Sequence, residues 1–134
     1  MLKLKCRKNE NVDLVSLALE LAKEGKVEAL INAKVTGLSG VEHIINILIK
    51  KPCNVAIILP GLNKEIGAEV IKTVVMSLDT RLPIIFLVRK NKSKNVIFEL
   101  IKEYPISIIT YENKNDLLSK IKSAIFDLCS NEAN

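Results

Sequence analysis

Residues 54–89, NVAIILPGLNKEIGAEVIKTVVMSLDTRLPIIFLVR, constrain the fold more than any other stretch of this chain. Val55–Leu59 and Ile84–Val88 are short, β-branched and bounded by Pro60-Gly61 and Pro83, the signature of strands buried on both faces. Between them, Asn63 is placed to cap a helix in which Ile66, Val70, Val74 and Leu78 recur at four-residue spacing, with Ile71 and Val75 alongside. Strand, helix and strand make one βαβ unit, the nucleus of a parallel sheet.

The flanking segments extend this pattern. Met1–Arg7 alternates Leu2, Leu4 and Cys6 with Lys3, Lys5 and Arg7, which predicts a strand with one wet face at the margin of the sheet, where lysines discourage edge-to-edge pairing. Asn11 is the expected cap of a first helix whose buried stripe is Leu14, Leu17, Ala18 and Leu21, ending at Gly25. Val27–Ile31 reads as a short strand, although VEALINAKV also suits the start of a helix, and Asn32–Leu38 reads as a connection. Ser39-Gly40-Val41-Glu42 has the capping-box pattern and predicts a helix over Val41–Lys50 that Pro52 stops. A helix from Val96 to Tyr104, a strand at Ile106–Tyr111 and a last helix from Asn115 or Asp116, with Leu117, Leu118, Ile121, Ile125 and Leu128 inward, complete the order. The expectation is one α/β domain over residues 1–134: a three-layer sandwich around a central, mainly parallel sheet of about five strands, its N-terminal strand peripheral.

Composition narrows the setting. A chain of 134 residues that is 49% hydrophobic can bury one core. The 20 Lys and Arg against 15 Asp and Glu leave a net charge of +5, which favours an acidic partner without amounting to a nucleic-acid-binding tail. Cys6, Cys53 and Cys129 are odd in number and lack C-x-x-C spacing, so they read as packing residues in a reducing cytoplasm rather than as a disulfide framework or a zinc site. No apolar run approaches the roughly 18 residues of a membrane span. A soluble, cytoplasmic protein with no membrane association is expected.

The sequence holds few groups that could do chemistry. Acidic residues that could hold magnesium are missing where the first and third strands end, at Arg7-Lys8 and Pro60-Gly61, and no GxGxxG or GxxxxGK pattern is present. His43, the one histidine, has no second ligand near it at metal spacing, so no metal and no cofactor is expected. Glu65-Ile66-Gly67-Ala68-Glu69 resembles the nucleophile helix of nucleoside deoxyribosyltransferases and TIR-like nucleotide hydrolases. That resemblance implies an alternative activity, N-glycosyl transfer or hydrolysis, with Glu65 and Glu69 as its carboxylates. The same two residues with Lys72 also make an ordinary solvated stripe. Arg89-Lys90-Asn91-Lys92-Ser93-Lys94 is the most basic segment, and Lys90, Lys92 and Lys94 are candidates for phosphate contact.

A second resemblance spans most of the chain in element order. Leu30-Ile31-Asn32-Ala33-Lys34-Val35 followed by Glu42-His43-Ile44, then NVAIILPGLNKEIGAEVIKTV and IIFLVRKNKSKNVIFELIKEY, are similar to the small kinase-binding subunit of the KEOPS complex, the TPRKB-type family. The resemblance implies a non-catalytic adaptor that docks on a kinase-like ATPase and assists tRNA recruitment for threonylcarbamoyladenosine modification. Asn32, Lys34 and His43 fall in the matching segment and would shape the docking surface. The chain departs from that family in its short Lys50–Cys53 join and in its polar end, Ser130–Asn134. The helix Ile66–Leu78 also has an apolar arc wider than the usual stripe of about 100°, which either leaves Met76 and Val75 for a partner, a second copy of the chain included, or belongs to a central helix that is deeply buried.

Overall fold

The computed structural model describes residues 13–23, 25–61, 65–90, 99 and 101–133. Among these lie three helices and five strands in the order α1 (Leu14–Ala22), β1 (Glu28–Thr36), β2 (Glu42–Lys51), β3 (Val55–Ile58), α2 (Ile66–Thr80), β4 (Ile84–Arg89), β5 (Ile106–Tyr111) and α3 (Lys114–Ala133). The strands form one sheet in the sequential order β1-β2-β3-β4-β5. The chain is therefore α/β, and its sheet is mixed. β1 with β2 and β2 with β3 are antiparallel, whereas β3 with β4 and β4 with β5 are parallel. The expected predominance of parallel pairing gives way because two short connections, at residues 37–41 and 52–54, can only reverse the chain, whereas parallel neighbours need a long crossover.

The central unit follows the sequence. β3 is buried at all of its residues, and β4 is buried through Val88. Consecutive side chains face opposite sides: Val55, Ile57, Ile85 and Leu87 join one apolar cluster, and Ala56, Ile58, Ile84, Phe86 and Val88 the other. The first cluster takes Leu17, Ala18 and Leu21 from α1 and Leu117, Ile121 and Ile125 from α3. The second takes Val70 from α2 together with Ile101 and Ile106. Each cluster thus includes helix side chains.

The largest correction concerns residues 41–51. The segment expected as a helix over Val41–Lys50 is strand β2, with His43 and Ile44 inside it, and the segment expected as a connection, Asn32–Leu38, supplies the second half of β1. Ile44, Ile45, Ile47 and Ile49 are β-branched and stiff at χ1, which suits a pleated strand better than a helix. Ser39 and Gly40, at φ 90°, lie in the turn of this hairpin, and the Ser39 hydroxyl accepts from the Val41 amide at 3.2 Å as part of the turn rather than as a helix cap. Asn32, at φ 51°, sits in β1 between the pairs Ile31–Ile47 and Ala33–Ile45. Its left-handed backbone, which asparagine tolerates better than most residues, falls where the buried side of β2 passes from the second cluster at Ile45 to the first at Ile47.

Helix ends also shift. α1 is capped by Asp13, whose carboxylate accepts the Ser16 amide, and Asn11 lies outside the described residues. α2 is capped by Glu65, and Asn63 lies outside them too. So do the expected edge strand Met1–Arg7 and, of the helix at Val96–Tyr104, Val96, Ile97 and Leu100. The expectation that Cys53 and Cys129 only pack is overturned: they are joined by a disulfide with Cα atoms 5.6 Å apart, 76 residues distant in sequence. Spacing could not show this, because the contact exists only once α3 has folded back over the turn between β2 and β3. No helix among the described residues is long and apolar enough to cross a membrane.

Candidate functional site

The turn of the β1–β2 hairpin docks on the last turn of α2, and one carboxylate organises the contact. Asp79 Oδ1 accepts the Ser39 amide at 2.8 Å, and Oδ2 accepts the Ser39 hydroxyl at 2.8 Å and faces His43 Nε2 at 2.6 Å. The Leu38 amide donates to the Asp79 carbonyl at 2.8 Å, which satisfies one of the acceptors that a helix C-terminus leaves open. Gly37 makes room for this: a Cβ there would stand 1.9 Å from Asp79 Oδ2. The His43 and Asp79 side chains each keep only 13% of their surface in solvent.

The electrostatics follow from the donors. An acid at a helix C-terminus meets the negative end of the macrodipole and needs compensation. The hydrogen bond from His43, then those from the Ser39 amide and hydroxyl, hold the Asp79 carboxyl below the usual carboxylate range and so keep it ionised. An ionised carboxylate only accepts, so the His43 Nε2 in this contact carries a proton.

Serine, histidine and aspartate are therefore assembled, but in the wrong order for nucleophilic catalysis. A catalytic serine gives its proton to a histidine that the aspartate orients. Here serine and histidine both donate to the aspartate, so the Ser39 hydroxyl proton is shared with the carboxylate and not with the histidine. The cluster works as a pin that fixes the hairpin on the helix.

Apolar side chains surround the pin. Ser39, Val41, His43, Val75, Leu78 and Asp79 line an open cleft of about 380 Å³. Ile71, Val75 and Leu78 form an exposed ridge on α2, at 57, 55 and 57% of their surface, while Val70, Thr73 and Ser77 face the core. The broad apolar arc read from the sequence is thus real, and its surplus is this ridge. Val75 belongs to it; Met76 does not, being half-buried against the second cluster. Thr73 and Ser77 are tolerated inside because their hydroxyls donate to the Glu69 and Val74 carbonyls at 2.8 and 2.9 Å.

The other sequence candidates are placed as follows. Asn32 and Lys34 are exposed on β1, with Lys34 opposite Ile44. Of the residues expected at a docking surface, the pin brings His43 to Asp79, which lies three positions after Met76 on α2, while Asn32 and Lys34 stay on the hairpin. Glu65 turns both carboxylate oxygens back to the Gly67 and Ala68 amides, at 2.8 and 2.9 Å. Glu69 lies 3.6 Å from Lys72. These are the bonds of a helix N-terminus, not of a poised nucleophile. Lys90 closes β4 and pairs with Glu112 at 3.5 Å, and Lys92 and Lys94 lie outside the described residues. Among the described residues no group of His, Cys, Asp and Glu could hold a metal ion.

Fold and site together define an α/β chain in which, among the described residues, a polar pin is set in apolar side chains. No protein-family model, curated protein or solved structure gives a significant match to this chain.

Proposed function

We propose that the chain is a non-catalytic docking subunit that binds a kinase-like ATPase and assists tRNA recruitment for threonylcarbamoyladenosine modification, as the KEOPS-type resemblance of its sequence implies. The observation that carries the docking half is the exposed ridge Ile71, Val75 and Leu78 beside the pinned hairpin turn. An apolar ridge held rigid on both sides gives a partner a preformed surface, so little ordering entropy is lost on association. Val41 and Leu38, exposed at 55 and 72%, extend the same surface across the turn. The architecture that accompanies this reading is three-layered, with α1 and α3 on one side of the sheet and α2 on the other. Lys90, Lys92 and Lys94 supply phosphate contacts in the tRNA half.

The test is a binding titration between the purified chain and the kinase-like ATPase of the same cell. Val75→Asp with Leu78→Asp should abolish binding and leave the fold intact, because both side chains are already in water. Glu65→Ala with Glu69→Ala should leave binding unchanged. Failure of the wild-type chain to bind that ATPase overturns the docking reading. Nucleoside or NAD cleavage by the wild type that the double glutamate variant lacks would replace it with the glycosyl-transfer alternative.

A further inference from the structure

α3 is held unevenly along its length. Side chains of its first half reach other elements: Lys114 donates to the Ser16 hydroxyl on α1, and Lys120 donates to the Thr110 carbonyl of β5 at 2.7 Å. Leu117, Ile121 and Ile125 carry the apolar stripe, at 0, 0 and 3% exposure. Past Ile125 the stripe weakens. Phe126 is 69% exposed, Leu128 and Cys129 are only half-buried, and Ser130 is exposed. A helix end with so little buried surface has small stability of its own and opens locally before the rest of a fold.

This end is tied down by the bond from Cys129 to Cys53, which lies in the turn between β2 and β3. Both cysteines are half-buried at the margin of the first apolar cluster rather than inside it, so a thiolate meets the bond near the surface and not in the core. A cleft of about 310 Å³ lies beside it, with Leu21 of α1, Val27, Pro52, Ile125 and Phe126 in its lining. Pro52 directly precedes Cys53, and Phe126 stands three residues, about one helical turn, before Cys129. The bond therefore joins two walls of that cleft.

We propose that the Cys53–Cys129 bond is a redox latch: reduction by a dithiol frees the end of α3, residues 126–133, and uncovers the apolar cleft, while the sheet and the first half of α3 stay in place. A thiolate of the dithiol attacks one cysteine sulfur, the S–S bond breaks, and the other cysteine leaves as a thiolate and takes up a proton. The second thiol of the dithiol then displaces the first cysteine, which leaves and is protonated in its turn. Two electrons and two protons pass to the protein, which ends with two thiols, and the dithiol ends as a disulfide. The latch is built on α3 and the β2–β3 turn, not on the α2 ridge, and does not depend on the docking reading.

Hydrogen exchange read by mass spectrometry tests it, on the full chain carrying Cys6→Ser so that only this pair can exchange, before and after dithiothreitol. Alkylation confirms the bond in the first state and both free thiols in the second. Reduction should raise the exchange rate over residues 126–133 at least about tenfold more than over residues 114–121 of the same helix, and reoxidation should reverse the change. The fluorescence of added anilinonaphthalene sulfonate should rise and fall over the same cycle as the cleft opens and closes. Cys53→Ser with Cys129→Ser should match the reduced chain with or without dithiothreitol. A bond that dithiothreitol reduces only in denaturant overturns the proposal. So does a rise in exchange that is equal along α3, β3 and β4, the result expected of a staple for the whole fold, and so does reduction that leaves either the exchange over residues 126–133 or the dye signal unchanged.

Discussion

Asp79 is the residue on which the candidate docking surface turns, and its ionisation makes the surface sensitive to acid. Its folded pKa lies below the ordinary 3.8, so its contribution is fully present above that value and is lost as pH falls through the folded one. Asp79→Asn should therefore lower the melting temperature at neutral pH, and its deficit against wild type should shrink as pH drops below about 4. Parallel melts of the two proteins across that range check the sign; a deficit that grows in acid would contradict the pin. Gly37 is tied to the same carboxylate. In Gly37→Ala the new Cβ would meet Asp79 Oδ2, and that oxygen cannot swing away without abandoning Ser39 and His43. The substitution should cost about 1–3 kcal/mol in a denaturant titration. Sequence reasoning singled out His43 but not its partner. A usable signal was present, because an aspartate in the last turn of a helix opposes the dipole and calls for a donor. Ser39 was equally visible, but its short-range capping pattern pointed to a helix, whereas its hydroxyl is committed 40 residues away.

Elements whose character is set by burial on both sides were readable from the chain, and elements set by their partners were not. β3, β4, β5 and the cores of α1 and α3 fall where the apolar runs and four-residue spacings place them, whereas of the α2 stack Val70 is buried and Leu78 is exposed, with Thr73 and Ser77 facing the core instead. β2 did not, because HIINILIK is apolar at both periods and only its pairing with β1 and β3 decides between them. The Cys53–Cys129 bond belongs with the second group. It ties the last turns of α3 to the connection between β2 and β3, both cysteines packing against the first cluster. Closing a loop of 76 residues restricts the unfolded chain strongly, so reduction, or Cys53→Ser with Cys129→Ser, should lower the unfolding free energy by about 2–5 kcal/mol. Urea titrations with and without reductant measure this directly. Identical midpoints, with the free thiols confirmed by alkylation mass, would mean that α3 is held by its apolar stripe alone.

At the scale of the whole molecule, the docking ridge and the cationic strand ends lie on different parts of the sheet, and the net charge of +5 bears only on the second. Attraction of a polyanion to a protein is chiefly counterion release, so its signature is the dependence of affinity on salt rather than any single affinity. If the chain helps recruit tRNA, a gel-shift series should show affinity falling steeply with ionic strength. Lys90→Ala with Lys92→Ala and Lys94→Ala should weaken binding at every salt concentration. It should also flatten the log–log slope by about 2 to 3 units, roughly one unit for each phosphate contact removed. The docking half predicts something different, since apolar contacts are insensitive to modest salt: binding of the kinase-like partner should hold over the same range. A protein whose RNA affinity ignores salt, or ignores the three lysines, would keep its docking ridge and lose its role with tRNA. The two halves of the proposed function therefore fail independently.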